Sequence, residues 1–182
     1  AKNGADRLII MSLLGATITG IYSVGYQIAM VIGVLATAFN KAWSPYLFKV
    51  LSSEPTYDEK LNIVKFSYLY FIGILLFSII FAYLVELILP YFVGNSYLDA
   101  SKIIIYLSIA FAFDGMYYMV TNYIFYVKKT HLLSYVTFFS SLIHIALFYY
   151  FIKINSIIGA AQANLISFLL TFLVVWYLSN KV

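Results

Sequence analysis

The chain has 182 residues, 64% of them hydrophobic and 10% charged, with a mean hydropathy of +0.94. Soluble domains carry about 25% charged residues, so this composition excludes a water-soluble globular domain. The absence of cysteine excludes disulfides, thiol catalysis and thiolate metal sites, and the net charge of +4 arises from scattered single basic residues rather than a nucleic-acid-binding face.

In chain order, the first feature is a stretch from 8 to 40 without a single Lys, Arg, Asp or Glu. As one helix it would be about 50 Å long, well beyond a hydrocarbon core of roughly 30 Å. The break falls at Gly15-Ala-Thr-Ile-Thr-Gly20, which pairs two glycines with two β-branched threonines. Residues 8–14 therefore read as the end of one helix and 21–39 as a complete span. The short first piece, a start at Ala1 and the lack of a signal peptide lead to the expectation that an N-terminal part of a larger protein is missing. If that part begins the helix, Asp6 and Arg7 lie at membrane depth as a paired charge.

Beyond a connection at 40–65, punctuated by Pro45 and the polar run 52–60, four more spans follow at 66–89, 103–127, 132–152 and 157–178. Their charges are Glu86, Asp114 and, when protonated, His144. Hydrocarbon offers no water to unpaired backbone groups, so such spans must be helices packed on one another. The fold class expected is an all-α integral membrane protein. It has five complete transmembrane helices plus the end of a sixth, forming a single bundle over 1–182. Many of the 18 tyrosines lie near span ends, where amphipathic rings favour the headgroup layer. Lys41, Lys49, Lys60, Lys65, Lys128, Lys129 and Lys181 fall on one side, against Lys102 and Lys153 on the other. That bias places 41–65 and the C-terminus in the cytoplasm, and the turns near 15–20, 90–102 and 153–156 outside. The segment 43–48, with Trp43, Tyr46, Leu47 and Phe48, suits an interfacial helix turn.

Two stripes of small residues recur every four positions: Gly25, Ala29, Gly33 and Thr37, then Gly159, Ala163 and Ser167. Such stripes let a neighbouring backbone approach closely and read as helix–helix seams. Polar stripes share helical faces in the same way: Asp114, Tyr118, Thr121 and Asn122; Ser134, Thr137, Ser141 and His144; Asn164, Ser167 and Thr171; Ser23 and Gln27. Interhelical hydrogen bonds worth about 0.6 kcal/mol each account for the single hydroxyls. They do not account for Asp114, because a carboxylate at mid-bilayer costs roughly 2.5–3.5 kcal/mol and normally faces a cavity, a pathway or a partner. The candidates for a transport cavity are Asp114, Tyr118, Asn122, Asp6, Arg7, His144 and Asn164. Glu86 is one turn from the outer interface and can reach water. His144 has no His or carboxylate at ligand spacing and reads as a satisfied polar residue, so no metal site and no catalytic group are expected.

Three blocks carry a family resemblance. ADRLIIMSLLGATITGIYSVGYQIAMVIGVLATAFNKAWSPYL, with Asp6, Arg7, Gly20, Tyr22, Ser23, Gln27 and 42–45, resembles the middle of bacterial polysaccharide flippases. These are the O-antigen and capsule repeat-unit translocases of the multidrug/oligosaccharidyl-lipid/polysaccharide exporter superfamily. LILPYFVGNSYLDASKIIIYLSIAF, with Leu89, Pro90, Gly94, Tyr97 and Ala100, and IIGAAQANLISF, from 157 to 168, follow in the family's order and spacing. The resemblance implies the C-terminal half of a two-bundle exporter. Such an exporter rocks about a central cavity and carries an undecaprenyl-pyrophosphate-linked oligosaccharide across the cytoplasmic (inner) membrane. It further implies H+ or Na+ as coupling ion, membrane lipid as surroundings, no cofactor and no enzymatic reaction. The sequence departs from the family at His144, commonly Asn, and at Ser156, commonly Gly; Gln162 and Asn164 replace more apolar or hydroxylated residues. A multidrug or cation antiporter of the same superfamily would share the architecture, and a membrane enzyme of polysaccharide assembly is the alternative of a different class.

Overall fold

A computed structural model describes the backbone of residues 2–181, and the side chains of these except 2–4, 95 and 96. Four long helices run α1 (Lys2–Ser52), α2 (Tyr57–Phe92), α3 (Ser101–Tyr126) and α4 (His131–Ser179), with a 3₁₀ segment, Asn95–Ala100, leading into α3. All four are long and apolar enough to cross a membrane. The count corrects the expectation of five complete spans and the end of a sixth, and the reason lies in how two of these helices are built.

Helix α1 is interrupted at Gly15 (φ 84°, ψ 177°) and α4 at Asn155 and Ser156 (φ 50°, ψ −132° at Ser156). The chain folds back sharply at each point. Thr19 Oγ1 reaches Met11 Sδ at 3.9 Å, although residues eight apart in a straight helix are about 12 Å apart. His144 Nδ1 lies 3.0 Å from Ser167 Oγ, although 23 residues of straight helix span about 35 Å. Each interruption thus separates two antiparallel limbs, 2–14 and 16–52 in α1, and 131–154 and 157–179 in α4. The reversals consume one or two residues and leave no loop. The break expected at 15–20 falls on Gly15, where positive φ favours glycine, while Gly20 stays helical.

Boundaries differ most around the first connection. Helix α1 continues through Pro45 to Ser52, and α2 starts at Tyr57, so both overrun the expected span ends at 39 and 66. The segment 43–48 is a continuation of α1 rather than a separate interfacial turn. Thr56 starts α2 with a capping box: its backbone N–H donates to Glu59 Oε2 (2.8 Å), and the Glu59 N–H donates to Thr56 Oγ1 (3.4 Å). Over this connection Trp43 stacks on Phe66 (4.6 Å between centroids) and Phe39 on Tyr70 (4.4 Å), tying α1 to α2.

Helix α3 is the central post, with the largest share of buried residues, and it packs against each of the other three. The small-residue stripes are its seams and those of its neighbours. A Cβ on Gly25 would meet Ile103 at 2.8 Å, and one on Gly33 would meet Phe111 at 2.8 Å, so α1 lies directly on α3. A Cβ on Gly159 would collide with the Phe151 carbonyl oxygen, so the two limbs of α4 touch backbone to backbone. The outer faces of α2 and of the first α4 limb carry exposed Leu69, Ile72, Ile80, Leu87, Phe138, Phe139 and Ile143, as a lipid-facing surface should. Both reversals and the 3₁₀ segment meet at one end, where a cavity of about 670 Å³ is lined by Leu13, Ile18, Asp99, Lys102, Asn155 and Ser156. At the other end Phe48 contacts Tyr126 and Tyr68 contacts Trp176.

Candidate functional site

Two polar centres lie inside the bundle. The first is enclosed. Its members come from both α1 limbs (Asp6, Tyr22) and both α4 limbs (His144; Asn164 and Ser167), and Asp6 and His144 are each 1% exposed. His144 Nε2 lies 2.8 Å from Asp6 Oδ1, and His144 Nδ1 lies 3.0 Å from Ser167 Oγ. The Asn164 amide donates to the Tyr22 hydroxyl (2.9 Å) and the Ala160 carbonyl (3.2 Å), with Asp6 Oδ2 its longest contact at 3.5 Å. Two amide hydrogens serve three acceptors, so one is shared. A neutral imidazole protonated on Nε2 donates to Asp6 and accepts from Ser167. An imidazolium donates to both, once the Ser167 hydroxyl turns.

Magnitudes decide what Asp6 requires. At roughly 2.5–3.5 kcal/mol for a mid-membrane carboxylate and about 0.6 kcal/mol per interhelical hydrogen bond, the Asn164 contact alone does not offset its charge. The opposing imidazole is the group able to do so. This corrects two expectations. Asp6 pairs with His144 and not with adjacent Arg7, which is half-buried. His144 does have a carboxylate partner, 138 positions away in the chain, which no local spacing could reveal.

The second centre is an open cavity of about 640 Å³ between the second α1 limb, α3 and both α4 limbs. Asp114, Tyr117 and Tyr118 enter from α3, Tyr26, Thr37 and Lys41 from α1, and Thr137, Phe168 and Thr171 from α4. Half-buried Asp114 lies one helical turn before Tyr118 on the same face of α3, with Thr37 of α1 beside them on the cavity wall. Tyr117 of α3 and Thr137 of α4 both line the cavity, on either side of the α3–α4 interface. The aromatic rings and hydroxyls form a wall that can stack against a sugar ring and donate to its oxygens, with one carboxylate and one ammonium for charge recognition.

Of the expected site residues, Asp114 and Tyr118 line this cavity. Asp6, His144 and Asn164 assemble in the enclosed cluster. Asn122 belongs to neither: it is buried and donates to Asn40 Oδ1 at 2.8 Å, locking α3 to α1. Thr121, on the same stripe, turns back to the Tyr118 carbonyl. Sequence reasoning missed Lys41 by assigning it to a loop, yet the stripe Gly25, Ala29, Gly33, Thr37 continues in register to Lys41. The two centres adjoin. The Tyr22 and Tyr26 rings are 5.9 Å apart, with Tyr22 in the cluster and Tyr26 on the cavity, and Ser167 and Phe168 divide likewise on α4. Among the described residues no three His, Asp or Glu side chains gather as a metal ion would need.

Two proteins of Haemophilus influenzae are similar in sequence. One, named Lsg locus putative protein 1, is 27% identical over 145 residues, covering 80% of this chain and 36% of that protein. The other, named an uncharacterized membrane protein, is 28% identical over 140 residues, covering 77% of this chain and 34% of that protein. The chain therefore spans about a third of the length of these curated relatives. No family model and no solved structure matches. The chain is a multi-pass membrane protein, distantly related to these two.

Proposed function

We propose that this chain is the C-terminal bundle of a two-bundle exporter that moves a lipid-linked oligosaccharide from the inner to the outer leaflet of the cytoplasmic membrane. In this reading α2, α3, the second limb of α1 and both limbs of α4 cross the membrane, while the first α1 limb, about 20 Å long, reaches only part of the way. The C-terminus lies in the cytoplasm. The observation that carries the proposal is the 640 Å³ cavity, which combines tyrosine and phenylalanine rings, three threonines, Asp114 and Lys41. A drug-sized apolar ligand needs few of these hydroxyls; a sugar head attached to a pyrophosphate uses all of them, the ammonium included. The cavity is open on one side, where the other bundle would supply the missing wall. Alternating access by two repeats about a midplane site is the way many secondary transporters work. The three ordered sequence blocks give the same reading, with undecaprenyl-pyrophosphate-linked sugar as substrate and H+ or Na+ as coupling ion.

A carboxylate facing aromatic rings also suits a lipophilic organic cation, which keeps a multidrug antiporter as the second reading. An enzyme of polysaccharide assembly is the weaker alternative, because His144, the histidine at membrane depth, is enclosed by Asp6 and Ser167 away from the cavity. Deleting the gene tests the proposal. Repeat units on their lipid carrier should build up on the cytoplasmic leaflet. Normal surface polysaccharide without a paralogue present would favour the antiporter.

A further inference from the structure

The enclosed cluster is buried off the wall of the cavity, yet it joins all four limbs of α1 and α4 through ionisable groups. We infer that the Asp6–His144 pair is a proton-binding clasp whose loss of one proton releases the first α1 limb from α4. This inference deepens the proposed function, since it names the coupling ion of the same transporter.

The charge inventory leads there. With His144 as imidazolium and Asp6 as carboxylate, the cluster is neutral and every ring nitrogen has an acceptor or a hydroxyl within 3.0 Å. Removing one proton leaves a net negative charge on side chains 1% exposed, a state a low-dielectric interior strongly disfavours unless the carboxylate reaches water. The way to relieve it is separation of the limb that carries Asp6. Ser167 is suited to both states, because a hydroxyl can donate to a neutral nitrogen or accept from a protonated one. Tyr22, which shares Asn164 with Asp6, interacts electrostatically with Asp6, Tyr26 and Arg7, all from α1. The α4 partners Asn164 and Ser167 are uncharged, and the carboxylate of α3, Asp114, faces the cavity instead. Arg7 is half-buried on the limb that would move, so separation brings Asp6 and Arg7 toward water together.

The clasp is also wired to the cavity. Asn164 holds Tyr22, whose ring contacts Tyr26 of the cavity wall, and Thr171 of that wall donates to the Ser167 carbonyl at 2.7 Å. Substrate that shifts Tyr26 or the second α4 limb therefore shifts the clasp, and protonation acts in the reverse direction by the same contacts.

The test uses the full-length protein in lipid nanodiscs with spin labels at Leu8 and Ile145, both exposed and flanking Asp6 and His144 along their limbs. Distances measured by pulsed electron resonance should lengthen as pH rises from 5 to 9, at constant ionic strength and equally in sodium and potassium buffers. The uncharged pair Asp6→Asn with His144→Gln should hold the short distance throughout. A wild-type distance that ignores pH, one that responds to sodium at fixed pH, or a pair variant that titrates as the wild type does would each overturn the inference. The readout needs no substrate. If the clasp titrates but no lipid-linked sugar moves, the transport proposal fails and the clasp stands; the opposite pattern does the reverse.

Discussion

Asp6, on the first limb of α1, and His144, on the first limb of α4, face each other at 2.8 Å with neither open to solvent. A buried pair of this kind contributes little net stability over an apolar replacement, but breaking it from one side is costly. Asp6→Leu and His144→Leu should each destabilise the protein by roughly 3–5 kcal/mol, whereas the double Leu variant should lose much less than their sum. Thermal unfolding in detergent of the four proteins of this cycle measures the coupling. Strict additivity would mean that the two side chains do not interact.

Ser156 occupies φ 50°, ψ −132°, backbone that a side chain adopts only at a cost of about 1–3 kcal/mol. Ser156→Gly removes that strain and gives back part of it through the freedom glycine gains when unfolded, for a net stabilisation of roughly 1 kcal/mol. A melting temperature at or below wild type would show that the reversal in α4 does not depend on this conformation.

Gly159 and Gly73 are both helical but sit in opposite surroundings. An added methyl at Gly159 collides with the Phe151 carbonyl, while one at Gly73 meets nothing within 4 Å. Gly159→Ala should cost roughly 1–3 kcal/mol by prising the α4 limbs apart, and Gly73→Ala should stabilise by about 0.5–1 kcal/mol through helix propensity. The same unfolding assay checks both signs.

The bundle's orientation follows from lysine placement, and the chain's lack of cysteine makes it simple to probe. A cysteine at Gly94, beside the 3₁₀ segment, should react with an impermeant thiol reagent in intact cells. One at Ser53 should react only after the membrane is opened. The reverse pattern would invert the topology.

What the sequence reveals of this fold is governed by locality. Hydrophobic length located α3 within two residues, because 101–126 is bounded by turn residues at both ends. It also placed the two reversals, since Gly15 and the polar pair Asn155-Ser156 interrupt otherwise uniform apolar runs. It did not show that helix passes straight through Pro45, because the packing of Trp43 and Leu47 against Ile63 and Met119 outweighs the lost hydrogen bond there. The cavity was half legible. The stripe through Asp114 and Tyr118 marked the right face of α3, but a helix turns by 100° per residue, and by Asn122 the face has rotated onto Asn40. The Asp6–His144 pair was not legible as a pair at all. Both residues stand out as polar groups at membrane depth, but their meeting depends on how the first and last helices pack, which no spacing encodes.

In the proposed function Asp114 serves a transport cavity and does not merely pack. The most direct measurement reconstitutes the full-length protein, wild type or Asp114→Asn, in vesicles with lipid-linked oligosaccharide. It then follows how much of the sugar becomes accessible to an impermeant reagent on the far side. The wild type should expose sugar faster than protein-free vesicles. The Asn variant, which keeps the shape and the hydrogen-bonding capacity but not the charge, should fold and insert to the same level yet transport at least tenfold more slowly. Wild-type vesicles no faster than protein-free ones, or an Asn variant as fast as wild type, would contradict it.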